Sequence, residues 1–103
     1  MNQATLDIGP VERRIVTEIL RRHVPDADVL VFGSRATGKA KKFSDLDLCI
    51  KAAKPLGLDL SSALAEDFAQ SDLPWKVDVV DWATTSEAFR RIIEKDSVPL
   101  RIA

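Results

Sequence analysis

The chain is poor in the residues that build special scaffolds. A single cysteine, Cys49, leaves no intrachain disulfide to form. Only 4 glycines and 5 prolines occur among 103 residues, which excludes collagen-like and low-complexity architectures. No apolar run approaches the roughly 20 residues that span a bilayer. The opening MNQATLDIGP also lacks the basic-then-apolar order of a secretory signal. Excess charge of one sign is missing as well. With 15 basic against 16 acidic residues, the net −1 provides no global field for capturing nucleic acid or an anionic membrane. These absences point to a cytoplasmic protein with no membrane association and no strong nucleic-acid binding. What is present is a composition 46% apolar and 30% charged, ordinary for a packed core. The length accommodates one domain, residues 1–103, and not a catalytic module beside a separate substrate module.

Hydrophobic spacing divides the chain into alternating helices and strands. Pro10 sits where proline favours the first turn of a helix, and Val11, Ile15, Val16, Ile19 and Leu20 follow at 3.6-residue spacing, predicting a helix from Pro10 to His23. The run Val29 to Phe32 is short, β-branched and bounded by turn residues, as a strand buried on both faces would be. GSRATGKAKKF reads as a loop with one helical turn after Gly33. Asp45 to Ile50 alternates polar and apolar residues and predicts a second strand. Leu60, Ala63, Leu64, Ala65 and Phe68 form a helical stripe, and Pro74 precedes a third strand from Lys76 to Asp81. A capping box pairing Thr84 with Glu87 would open a last helix that buries Phe89, Ile92 and Ile93, with Pro99 just past its end. The first two strands are joined by about a dozen residues without a long helix, which favours antiparallel pairing. The expected fold is therefore α/β in the α+β sense: a small mixed sheet flanked by about four helices.

The chemistry concentrates in three places. Asp45 and Asp47 alternate with Leu46, Leu48 and Ile50, so both carboxylates leave one face of a strand. Like charges about 7 Å apart repel unless solvent or a cation intervenes, and hard oxygen donors suit Mg²⁺. Gly33-Ser34 ends a strand and opens a helical turn, offering N–H groups, a hydroxyl and the positive end of a short dipole to a phosphate. Asp78 interrupts an apolar strand, where a charge is costly unless it is paired, coordinates a metal or faces water from an edge. Asp78 and Asp81 lie three residues apart and point to opposite faces, so only one of them can join Asp45 and Asp47. Arg35, beside Ser34, could contact phosphate or form a surface ion pair. Lys39, Lys41 and Lys42 read as a solvated basic loop. His23, the only histidine, could meet the carbonyls that end its helix, and Cys49 reads as a small buried hydrophobe. Trp75 and Trp82 flank the third strand, placed for rim packing or for contact with a base or partner.

Gly33-Ser34, ten intervening residues and then Asp45-x-Asp47 form a spacing that arises by chance in about one chain of this length in a thousand. With Asp78 on a later strand, it resembles the active-site signature of the polymerase-β-like nucleotidyltransferase superfamily. The stretch VLVFGSRATGKAKKFSDLDLCI is similar to the minimal nucleotidyltransferase, or MNT, branch. The resemblance implies transfer of a nucleoside monophosphate from a nucleoside triphosphate, ATP in this branch, to an acceptor hydroxyl. It implies that Ser34 and the backbone after Gly33, with Arg35, hold the triphosphate. Asp45, Asp47 and Asp78 would bind Mg²⁺, two ions by resemblance, with Asp78 beside the acceptor as the base; the family pattern selects it over Asp81. Two cations about 3.5–4 Å apart can stabilise both the attacking and the leaving oxygen. The resemblance further implies a HEPN-domain toxin as partner, in a hetero-oligomer whose toxin tyrosine receives AMP from the antitoxin. Two alternatives remain open at this point: a non-catalytic antitoxin that covers its partner, and a small-molecule enzyme of the aminoglycoside-modifying kind.

Overall fold

The computed structural model describes residues 6–102; residues 1–5, the start of the polar lead, and residue 103 lie outside the described residues. Helix α1 spans Pro10–His23, with Pro10 in its first turn and Arg21, Arg22 and His23 in its last. Strand β1 (Asp28–Phe32) leads through Gly33 into a single helical turn, α2 (Ser34–Thr37), and then a loop to β2 (Leu46–Lys51). Helix α3 (Gly57–Ala69) returns the chain to β3 (Val77–Asp81), which is followed by a 3-10 turn over Trp82–Thr84, helix α4 (Glu87–Asp96) and β4 (Val98–Leu100).

The four strands form one mixed sheet in the order β3-β2-β1-β4. β1 pairs antiparallel with β2 and β4, whereas β2 and β3 run parallel, with α3 as their crossover. The core lies on one face. There Val16, Ile19 and Leu20 of α1 and Leu64 and Phe68 of α3 pack on Val29, Val31, Leu46, Leu48 and Ile50. Each fully buried leucine or isoleucine contributes about 1.5–3 kcal/mol relative to exposure. These side chains therefore hold the opposite face in place, and that face carries Asp47, Cys49 and Lys51 of β2, because strand residues alternate.

Several local expectations are corrected by the packing. β1 is buried on one face only: Leu30 and Phe32 are half-buried on the open face, which α4 covers loosely, Phe89 meeting Phe32 edge-on at 5.9 Å. In α4 only Ile93 is buried; Ile92 is 62% exposed, and Val11 of α1 likewise faces out. His23 does not cap its own helix. Its Nε2 meets Asp67 Oδ2 on α3 at 2.6 Å, and that hydrogen bond holds the Asp67 carboxyl below its usual range. Pro99 does not merely follow the last helix but sits within β4, an edge strand where a missing N–H costs no ladder bond.

The last helix is capped by Ser86, not Thr84. Asp81 accepts the Ala83 N–H and opens a 3-10 turn that takes up Thr84, while the Ser86 hydroxyl accepts the Phe89 N–H at 3.2 Å. Ser86→Ala should therefore cost about 1 kcal/mol of stability and Thr84→Ala distinctly less, as read from urea midpoints at unchanged slope. Equal losses at the two positions would mean that the helix starts elsewhere.

Candidate active site

The site begins with a backbone conformation that only glycine adopts. Gly33 has φ 77° and ψ −158°, which lets β1 turn sharply into α2 while its α-carbon lies directly under the Asp47 carboxylate; a β-carbon there would collide with that carboxylate. Ser34 follows at the first position of α2, half-buried. The Ala36 N–H donates to the Gly33 carbonyl at 3.0 Å, which leaves the N–H groups of Ser34 and Arg35, the first of the turn, without a partner within it.

Register brings the carboxylates together. Asp47 sits opposite Phe32 on β1 and beside Asp78 on β3. Asp78 therefore shares the open face with Asp47, while Asp81 falls on the core face, where its carboxylate accepts the N–H groups of Leu56 and Ala83. Asp45 precedes β2 by one residue and is exposed, as is Asp78. Burial raises the Asp47 carboxyl above its ordinary range, and the negative charges of Asp78 and then Asp45 push it further. Among the described residues, no three His, Cys, Asp or Glu side chains stand close enough as placed to hold a metal ion between them. Asp45 and Asp78 reach into solvent on either side of Asp47, as uncompensated like charges do. The donor set nonetheless fits a hard divalent cation, since it consists of carboxylate oxygens around one strained charge.

Arg35 is placed differently from the phosphate contact expected of it. Only 5% exposed, it turns away from the open face and donates to the backbone carbonyls of Ser44, Asp7, Lys41 and Lys42. Its fork is thus consumed inside the protein. Lys39, Lys41 and Lys42 are exposed on the loop that Arg35 grips, with Phe43 65% exposed at its tip. Cys49 is fully buried, and burial pushes its thiol up to about 11, so it is inert packing two residues beyond Asp47. Trp75 stacks on Arg35 and Trp82 lies against Lys51 and Arg90, so both tryptophans are engaged within the chain. Sequence reasoning missed Phe32 as the flank of Asp47; its position directly before Gly33 was the available signal.

Comparison with known proteins agrees with this geometry. The family model for the nucleotidyltransferase domain matches residues 13–102. A curated relative from Haemophilus influenzae, named "Probable protein adenylyltransferase MntA", is 56% identical over 92 residues, covering 89% of this chain and 81% of the relative. Among solved structures, a toxin–antitoxin complex with AMP-PNP superposes at TM-score 0.75 and 26% identity, covering 88% of this chain and 73% of that one. A Shewanella oneidensis complex of a tri-AMPylated HEPN toxin with an MNT antitoxin shares the fold at TM-score 0.67 and 24% identity, covering 88% of this chain and 70% of that one. With a mixed four-stranded sheet, a glycine turn beneath one carboxylate and a second carboxylate in register beside it, the chain belongs to the nucleotidyltransferase domain family.

Proposed function

We propose that this chain is a protein adenylyltransferase that moves AMP from ATP to a tyrosine hydroxyl of a HEPN-type toxin and so acts as the antitoxin of the pair. The observation that carries the reading is Asp47 lying directly over the Gly33 turn, with Asp78 in register beside it. Support also comes from the adenylyltransferase name of the Haemophilus relative, and from the AMPylated toxin bound to the Shewanella relative.

The roles follow from position. Ser34 and the free N–H groups at the start of α2 orient the triphosphate against the end of β1. Asp45, Asp47 and Asp78 are the residues that would hold Mg²⁺, whose charge, when bound, neutralises the phosphates and polarises the phosphorus under attack. Asp47, the least exposed of the three, fixes the position of the α-phosphate. Asp78 stands exposed on an edge strand, the side from which a protein hydroxyl can arrive, and its carboxylate takes the proton of that hydroxyl. No side chain of the protein forms a covalent bond. Alignment of the hydroxyl, the phosphorus and the leaving pyrophosphate can contribute about 7–11 kcal/mol of the barrier reduction.

The test is incorporation of label from ATP labelled at the α-phosphate into a co-expressed HEPN partner, with and without Mg²⁺. Label on the partner in a Mg²⁺-dependent reaction is expected. Neutralisation of the partner without any label would overturn the reading in favour of a covering antitoxin, and label on an aminoglycoside instead would favour the small-molecule alternative.

A further inference from the structure

Arg35 is the one buried charged side chain among the described residues, and it has no carboxylate partner there. Burying a guanidinium without an opposite charge is expensive unless every donor is satisfied. Here they are. Nε and Nη2 both donate to the Ser44 carbonyl, at 3.0 and 2.8 Å; Nη1 donates to the Asp7 carbonyl at 2.8 Å, and Nη2 also reaches the carbonyls of Lys41 and Lys42 at 3.4 and 3.3 Å. The Asp7 N–H donates back to the Arg35 carbonyl at 2.9 Å. The guanidinium carbon lies 4.5 Å from the centre of the Trp75 ring, which supplies an aromatic face in place of a counterion.

What these partners adjoin matters more than their number. Ser44 immediately precedes Asp45. Trp75 immediately precedes Lys76, whose carbonyl accepts the Leu46 N–H at 2.9 Å, next to Asp45 on its other side. Arg35 itself follows Ser34. One planar group therefore grips the entry to β2, the entry to β3 and the turn that carries Ser34. We infer that Arg35, stacked on Trp75, is a positioning residue that sets where Asp45 stands relative to Asp47 and Asp78, and through that spacing sets the affinity of the site for a divalent cation with a nucleoside triphosphate. The inference rests on the adenylyltransferase reading for the identity of the ligand. A lysine cannot replace the fork, because a single ammonium on a flexible stem cannot hold carbonyls from three directions in one plane.

The experiment uses the full chain and two variants, Arg35→Lys and Trp75→Leu. Binding of Mn²⁺ with a non-hydrolysable ATP analogue is measured by calorimetry, and amide hydrogen exchange is measured without metal. Binding is expected to weaken by about 10–100-fold in both variants, the range for losing a residue that orients metal ligands. Amides of residues 41–46 should exchange about tenfold faster, while those of α1 and β1 keep their wild-type protection. Transfer should need more metal for half-saturation, with kcat recovering at saturating metal. If Arg35→Lys does not fold, Trp75→Leu, which keeps every hydrogen bond of the fork, decides the matter. A folded variant that binds the analogue within about twofold of wild type overturns the inference, as does loosening spread evenly over α1 and β1. A wild-type chain that binds the analogue but labels no protein overturns the adenylyltransferase reading, and the binding contrast with the variants still decides the role of Arg35.

Discussion

Asp47→Asn is expected to lower AMP transfer by about 10³-fold or more, which corresponds to about 4 kcal/mol of transition-state stabilisation, while leaving the folded protein at least as stable. Both halves of the expectation come from one arrangement. Asp47 lies over Gly33 between Phe32 and Asp78, and burial, Asp78 and Asp45 in that order raise its carboxyl. The folded state therefore holds the Asp47 proton more tightly than the unfolded chain does. In metal-free buffer the ionised group is a cost at neutral pH, and that cost fades as pH falls through its raised range. Asparagine removes the charge and with it the cost, in the common trade of stability for activity. The measurements are label transfer at neutral pH and the difference in Tm between wild type and variant from pH 7 downward. The difference should favour the variant at pH 7 and shrink on acidification. Transfer within tenfold of wild type would remove Asp47 from the chemistry.

Gly33→Ala should lose about 10²-fold in transfer, because a displacement of about 1 Å in a positioned group is enough for that. Two penalties act at once. The backbone conformation is one that only glycine adopts readily, at about 1–3 kcal/mol for any other residue, and the new methyl occupies the place of the Asp47 carboxylate. Gly38 separates the two. Its φ is 80° with ψ 12°, yet nothing lies within 4 Å of a β-carbon built there, so Gly38→Ala carries the strain without the collision. That variant should lose about 1–2 kcal/mol of stability and keep its transfer rate. Parallel losses of transfer in the two alanine variants, at matched folded fraction, would show that only backbone strain is involved.

What could be read from the sequence was whatever depends on neighbours a few residues away. Pro10 and Pro25 bracket α1, and the alternation around Leu46, Leu48 and Ile50 announces β2, so those elements sit where they are expected. Parity along VDVVD separates Asp78 from Asp81, and register beside Asp47 then places Asp78 on the open face. The antiparallel entry into the sheet was equally legible, from the short connection through Gly33. Four features were hidden because their causes are distant or ambiguous. β4 has three residues with a proline at its centre, which reads as a helix stop rather than as a strand. Three consecutive hydroxyl residues, Thr84 to Ser86, offer three possible caps, and the choice is made by Asp81 closing a 3-10 turn first. Arg35 beside Ser34 looks like an anion contact, and only tertiary packing shows that its donors go to Ser44, Asp7 and the carbonyls of the lysine loop. His23 and Asp67, 44 residues apart, could be paired only once α1 and α3 were seen side by side.

The sheet has two unpaired margins, and they are guarded unequally. β4 offers a template of three residues in which Pro99 lacks an N–H, so a second chain finds little to add to. β3 is longer, and its two carboxylates differ: Asp81 accepts the N–H groups of Leu56 and Ala83 on the core face, whereas Asp78 is exposed on the open one. Among the described residues of β3, Asp78 is the exposed charge, and it opposes strand addition from a second copy. The carboxylate that would receive the acceptor's proton thus also keeps neighbouring molecules from zipping onto that margin, and neutralising it exposes the chain to self-assembly as well as to loss of turnover.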